Sequence, residues 1–444
     1  MEKLLQMAKK VCDQAEVYSV QSETSTVYFQ NAKLNNIEQA IQSGVTLRII
    51  KDGKLGFSYT KNLKNRDNLI QNARNALNGG AEAPASFANT PAVPSLDTFD
   101  PASESTTSET LANECRRVGD LLQEKSAGQL MATTTFTQTQ TRILNSLGAD
   151  LQSRCSEYVF NPMLLFPGSF ANISRGFTGK TFCEIPDESI EHIVALFNAA
   201  EKEARPKGGN MPVLFLPETV TTLLMRIVAG TNAQMIFHKQ SPLGDKIGEK
   251  ILDSKLTVQD TPLADAHPGA RAFDDEGTPC EPMSLVKNGI LENIFTDRLY
   301  AGKLGINPTG HGYKMGYAGD PISFKPAPAL QHLMVEPGDQ SLSEMIASMD
   351  SGIIVAGDLG GHTGNIPAGD FSVGLSPGLY VQGGKIVGHV KDAMVAGNIY
   401  ETPHNIVAME NRLHGAGAPP VNGLGIWRCP AVLVDDVSVA TKQS

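Results

Sequence analysis

The spacing of apolar and polar positions changes character along the chain. Residues 1–16 place Leu4, Leu5, Ala8 and Val11 on one helical face. Alternation then takes over, with β-rich runs at 17–20, 25–29, 35–41 and 44–50. Lys51-Asp52-Gly53-Lys54 reads as a hairpin turn before a strand at 55–59. A helix is predicted over 63–77, stopped by Gly79-Gly80. From 79 to 109 the chain turns to Ala, Pro, Ser and Thr, the composition of an extended connector. A helix over 111–125, strands at 130–141, 142–147 and 150–166, and a helix over 189–204 follow. The order helix, strands, helix thus occurs twice before residue 207, which suggests two related α/β halves.

Gly208-Gly209-Asn210 reads as a domain boundary. A short buried strand at 213–216 precedes Pro217, which suits the first turn of a helix. Val220, Leu223, Leu224, Ile227 and Val228 then fall on one face, and the helix is expected to run to about His238. Beyond it the pattern is mostly β, with a helix at 343–349. At 283–294 two apolar runs flank Asn288-Gly289, a strong hairpin signal because both residues tolerate positive φ. The expected fold class is α+β. Residues 1–207 form an N-terminal α/β region with antiparallel sheets and flanking helices. Residues 208–444 form a C-terminal, β-rich, barrel-like domain.

At 444 residues, 41% apolar and 19% charged, the chain has the composition of a globular protein with more than one core. A formal net charge of −10 and the lack of a basic run disfavour direct nucleic-acid contact. The six cysteines are far apart with no Cys-x-x-Cys pair, which fits reduced thiols in a cytoplasmic protein. The first eighteen residues lack the apolar core of a signal peptide, and no stretch approaches a membrane span.

Candidate chemistry is sparse. The nine histidines are His192, His238, His267, His311, His332, His362, His389, His404 and His414, and no two have metal-ligand spacing on a helix. Asp274-Asp275-Glu276 could offer oxygens to a divalent cation or to substrate. The plainer reading is a turn whose carboxylates cap backbone N–H groups. The loop from Gly357 to Asn365 is polar and dense in glycine, suited to close approach of a ligand at Gly360, Gly361, His362 and Asn365, but it lacks the phosphate-binding ending of a Walker loop. No Ser or Cys sits in a nucleophile-elbow context.

Four stretches together carry a family resemblance: Ser43-Gly44-Val45-Thr46-Leu47-Arg48-Ile49-Ile50 with Gly53 and Gly56; Ala272-Phe273-Asp274-Asp275-Glu276-Gly277-Thr278-Pro279; Gly369-Asp370-Phe371-Ser372; and Ala396-Gly397-Asn398. The chain resembles the TldD/PmbA family, whose PmbA branch is also called TldE and has been named a modulator of DNA gyrase. The resemblance implies peptide-bond hydrolysis. TldD-type members are zinc metallopeptidases with a His-Glu-x-x-x-His helix and a distant Cys ligand. Here the counterpart helix falls near 223–234, with neither His nor Glu, and the Cys position falls near Gly361, where there is none.

That departure places the chain on the PmbA/TldE side. The resemblance then implies a subunit without zinc or catalytic residues of its own, paired with a TldD-type partner that carries zinc. The pair takes extended or unfolded peptides. Substrate contact is expected at Asp274, Asp275, Glu276, Gly360, Gly361, His362, Asn365 and Asp370. Two other readings stay open. One is a self-sufficient metallopeptidase with a relocated site around His238, His311, His362 and the Asp274 cluster. The other is a non-enzymatic regulator of gyrase or of a toxin–antitoxin pair. In isolation a homodimer is expected.

Overall fold

The computed structural model describes residues 1–31, 33–315, 320–401, 405–415 and 427–442. The N-terminal region opens with α1 (Glu2–Ala8), shorter than the predicted helix because the extended pattern already begins at Gln14. Three long-range strands follow, β1 (Gln14–Gln30), β2 (Lys33–Lys51) and β3 (Lys54–Thr60), then α2 (Arg66–Ala76). Asp52 and Gly53, with φ of 49° and 72°, make the tight turn between β2 and β3. After the connector come α3 (Ser108–Lys125), β4 (Gln129–Asn145), β5 (Asp150–Leu165), β6 (Asn172–Ser174), β7 (Phe177–Gly179) and α4 (Asp187–Ala199).

The strands of both helix-bounded segments join in one antiparallel sheet of order β3-β2-β1-β4-β5-β6, with β7 also on β5. Its two faces do different work. On one, α1 and α2 cover Ala15, Val17, Leu47 and Ile49, and farther along α3 and α4 cover Val27, Phe29, Leu130 and Phe160. On the other, Glu16, Tyr18, Thr46 and Arg48 meet the chain from 260 to 325.

The remainder runs β8 (Glu203–Ala204), β9 (Gly209–Phe215), α5 (Pro217–Gly230), α6 (Ala233–Phe237), β10 (Val258–Asp260), β11 (Met283–Lys287), β12 (Ile290–Leu291), α7 (Arg298–Leu304), β13 (Gly312–Tyr313), β14 (Ala327–Pro328), β15 (Leu333–Val335) and α8 (Leu342–Ala347). Then come β16 (Ser351–Val355), β17 (Asp358–Leu359), β18 (Asp370–Leu375), β19 (Gly378–Gln382), β20 (Lys385–Val390), β21 (Ala393–Asn398), β22 (Ile406–Met409), β23 (His414–Gly415), β24 (Arg428–Cys429) and β25 (Val432–Thr441).

A ten-stranded sheet follows the path β17-β18-β21-β25-β9-β16-β19-β20-β8, with β22 on β25, and curls into a half-barrel rather than a closed one. A smaller sheet, β12-β11-β10-β15-β24-β23, packs with it. Between them α5 buries Val220, Leu223, Leu224 and Ile227 against Leu252, Val373, Val395 and Val432. The helix predicted to reach His238 ends at Gly230 instead. Asn232 accepts from the N–H of Gln234 at 2.8 Å and so caps α6 as a separate helix.

Candidate functional site

The acidic run sits where the two regions meet, and it is buried. Gly277, at φ 74°, lets the chain turn back on itself. Asp274 uses one oxygen to accept from the N–H of Glu276 (2.9 Å) and Thr278 (2.8 Å), and the other to accept from Gly312 (2.8 Å). Asp275 receives Arg271 Nη2 at 2.6 Å and the Lys314 N–H at 2.8 Å. Glu276 receives Arg48 Nη1 at 3.1 Å and the Arg298 N–H at 2.7 Å. Arg48 also forks onto Glu16, at 2.6 and 2.9 Å. Each of the three carboxylates thus accepts from a backbone N–H, as the capping alternative has it, but Asp275 and Glu276 also accept from arginines, and Glu276 through Arg48 ties β1 and β2 to the chain at 274–314.

Burial sets the electrostatics there. Desolvation pushes the Asp274 carboxyl well up, with Glu276 adding repulsion. Asp297, which caps α7 by accepting from the Tyr300 N–H at 2.8 Å, is raised to about 7, first by burial and then by Glu276. Lys314 is lowered to about 7 by burial and by Arg48; its Nζ donates to Phe324 O at 3.0 Å and lies 4.8 Å from the centre of the Tyr18 ring.

The glycine-rich loop lies elsewhere, against α5. No hydrogen bond or ion pair among the described residues links it to the acidic run. Its organiser is Arg226, which the sequence reading passed over. The side chain is fully buried. Nε donates to Asp370 O at 3.0 Å, Nη2 to Thr363 O at 2.9 Å, and Nη1 to Thr222 O at 2.8 Å and to Gly361 O. Thr222, one turn earlier, donates to Asp358 Oδ2 at 2.7 Å, and burial holds that carboxyl above its ordinary value. A Cβ at Gly361 would stand 2.6 Å from both Thr222 Oγ1 and Asp358 Oδ2, so only glycine lets the loop lie this close to the helix. His362, Asn365 and the Asp370 side chain point outward and are exposed, with Asp370 accepting from Asn398 Nδ2 at 2.9 Å. A signal for Arg226 was available: it is the single charged residue between 219 and 237.

The three histidines considered for a relocated metal site, His238, His311 and His362, are not brought together by any hydrogen bond among the described residues. His238 is exposed beside Tyr300 (3.2 Å), His362 is on the loop, and His311 is buried, paired with Asp260 at 3.0 Å. Asp260, His311 and Thr309 line up like an acid–base–nucleophile series, with His311 Nδ1 2.9 Å from Thr309 Oγ1. The Thr309 hydroxyl, however, donates to Thr296 O and accepts from the Thr296 N–H, and Asp260 and His311 are buried. His404 lies outside the described residues. Among the described residues, no three His, Cys, Asp or Glu side chains are grouped so as to hold a metal ion. The face that α5 turns to the loop offers Thr222 and Arg226. A guanidinium has no lone pair to give, so this donor set does not fit zinc.

The family model for the PmbA/TldA metallopeptidase C-terminal domain matches residues 208–441, and that for metallopeptidase domain 1 matches 15–77. A metalloprotease of Methanothermobacter thermautotrophicus is 26% identical over 410 residues, covering 88% of this chain and 87% of that protein. Metalloprotease PmbA of Escherichia coli O157:H7 is 29% identical over 232 residues, 52% of this chain and 45% of that one. The crystal structure of TldE from Thermococcus kodakarensis superposes with a TM-score of 0.89 over 99% of both chains at 19% identity, a likeness of fold. The C-terminal match alone covers more than half of the sequence, and the chain belongs to the PmbA/TldD metallopeptidase family.

Proposed function

We propose that this chain is the TldE/PmbA-like subunit of a TldD/TldE-type peptidase: it contributes structure and substrate contact, while a TldD-type partner carries the zinc and the hydrolytic chemistry. The observation behind this is Arg226. The helix that the family resemblance would have carry zinc ligands carries a buried guanidinium instead, spent on carbonyls of the loop where the Cys ligand would fall. A positive group there repels a divalent cation as well as failing to bind it.

On this reading Gly360, Gly361, His362, Asn365 and Asp370 face the substrate, and the C-terminal half from 208 onward is the unit that does so. The short strand β17, at the end of the ten-stranded sheet, offers an edge within the loop itself. An extended peptide adding there would be held by main-chain hydrogen bonds, with little regard for sequence. Asp274, Asp275 and Glu276 take no part in that contact, because their oxygens are already filled from within; they fix how the two regions meet. The setting is cytoplasmic. The test is reconstitution. The chain and a TldD-type subunit should co-elute as a complex, and an unfolded peptide should be cleaved by the mixture and left intact by this chain alone. Cleavage by this chain alone would overturn the proposal.

A further inference from the structure

Arg175 lies between β6 and β7, in the N-terminal region, and its buried side chain reaches across to the C-terminal half. Nε stands 2.6 Å from Glu218 Oε1, in the first turn of α5. Nη1 is 2.7 Å from His414 Nδ1, on β23, and Nη2 is 2.8 Å from His192 Nε2, on α4. His414 Nε2 is 3.1 Å from Glu410 Oε1, and Glu410 Oε2 accepts from the Ala431 N–H at 3.1 Å. Cys429, opposite His414 across β23 and β24, donates to Pro217 O at 3.4 Å, so a second contact pins the start of α5.

A guanidinium only donates. The ring nitrogens that face it must therefore present lone pairs. That puts the His414 proton on Nε2, towards Glu410, and the His192 proton on Nδ1. Neither imidazole can take a second proton where it stands: the new N–H would point at an N–H, and its positive charge would sit against Arg175. Burial, then Arg175 and His414, accordingly lower His192 to about 3. The charged and titratable groups facing the two rings are Arg175, the other ring, Glu218 from α5, Glu410 just after β22, and Cys429 from β24. Glu188 of α4 and Arg412 pair at the exposed rim.

Glu218, Thr222 and Arg226 are spaced four apart and form one stripe along α5. Arg175 holds the first, Asp358 the second and loop carbonyls the third. The first and third are about 12 Å apart along the axis, at about 1.5 Å per residue. We propose that Arg175 is a positioning residue, a latch by which the N-terminal region sets the pose of α5 and so of the glycine-rich loop, and that proton uptake by its histidine acceptors releases it. The inference concerns the pose of the loop and is independent of whether a peptide binds there. Opening returns His192 from about 3 to its ordinary value of 6.5, so the open form binds more protons between these limits. The latch is complete above about pH 6.5 and loosens as pH falls toward 3. One proton taken up on opening makes the open form about tenfold more populated at pH 5.5 than at pH 7.5.

Histidine-selective nitrogen NMR of the full chain at pH 7.5 should show both rings uncharged, His414 as the Nε2–H tautomer and His192 as the Nδ1–H tautomer. Hydrogen exchange, corrected for its intrinsic pH dependence, should show protection of residues 217–226 and 357–370 falling at least about tenfold from pH 7.5 to 5.5, with none lost in β1 and β2. The double variant His192→Gln/His414→Asn keeps an oxygen acceptor near each nitrogen that faces Arg175 and cannot take up a proton. It should hold its pH 7.5 protection at pH 5.5. Arg175→Met should show low protection of both segments at either pH. A charged or oppositely protonated ring at pH 7.5, or equal protection at the two pH values in the parent chain, would overturn the proposal. So would an acid response kept by the double variant, or full protection in Arg175→Met.

Discussion

Arg226 donates to the carbonyl of Thr363 at 2.9 Å, and through that contact α5 and the glycine-rich loop are one unit. The loop from Gly357 to Asn365 has few apolar side chains with which to hold a shape. One guanidinium with five fixed donors supplies the shape instead, by collecting backbone carbonyls from residues 222, 361, 363 and 370. The arrangement resembles in purpose what a metal does when it gathers ligands from a helix and a loop.

Replacing Arg226 should therefore loosen the loop as well as the helix. Arg226→Met leaves buried carbonyls without a donor and is expected to cost about 2–4 kcal/mol in urea unfolding. Arg226→Lys should recover only part of this, since an ammonium cannot span the same acceptors. Hydrogen exchange should show the loss of protection confined first to α5 and residues 360–370.

The Glu16–Arg48–Glu276 group makes a second, separable case. All three side chains are at most 3% exposed. Arg48→Met strands two carboxylates in the interior, so a loss of about 3–5 kcal/mol is expected. Because the pair joins residues 228 positions apart, the first cooperative unit to come free should be the N-terminal sheet. Limited proteolysis with mass spectrometry would show cleavage in the 79–109 connector before any cut in the C-terminal half.

Stability should depend on pH through Asp297 and Lys314, in opposite senses. Asp297 has an ordinary value of 3.8 and is raised to about 7 when folded, so the folded state holds more protons between these limits. Its contribution is complete below about pH 4 and is lost as pH rises through 7. Lys314 has an ordinary value of 10.5 and is lowered to about 7 when folded, so its contribution grows from pH 7 to 10.5. Asp297→Asn keeps a cap for α7. It should match the parent near pH 4 and exceed it by about 1 kcal/mol or more at pH 8. Lys314→Met should flatten the rise on the alkaline side. Urea midpoints measured from pH 4 to 10 would show both.

The hairpin at 283–291 is a local matter. Asn288 and Gly289 take φ of 50° and 77°, and a Cβ on Gly289 would come within 2.3 Å of Leu252 O. Gly289→Ala should cost about 1–3 kcal/mol, read as a lowered melting temperature.

That hairpin also marks what was legible in the sequence. Asn-Gly and Asp-Gly turns, the apolar face of α5, and the β-rich second half follow from local rules. The strands β1 and β4 are longer than their apolar runs because Ser22-Glu23-Thr24-Ser25-Thr26 and Thr137-Gln138-Thr139-Gln140-Thr141 extend them. These polar stretches pair by backbone and by hydroxyl contacts, such as Thr24 with Thr137 at 3.2 Å, rather than by burial. The α7 helix was invisible for a similar reason: seven residues, capped by Asp297, bury only Ala301. At the candidate site the acids and the glycines stood out, but their partners did not. Arg48 lies 228 residues from Glu276, and no spacing rule reaches that far. Arg226 could have been suspected, since a lone charge in an otherwise uncharged helical stretch must find buried acceptors.

On the proposed reading, Arg226 stands where a TldD-type chain would need metal ligands. Zinc content, measured by elemental analysis on the purified chain and on its complex with a TldD-type subunit, tests this directly. The chain alone should hold far less than one zinc per molecule after dialysis, and the complex one per pair. A tightly held, stoichiometric zinc in the isolated chain would contradict it.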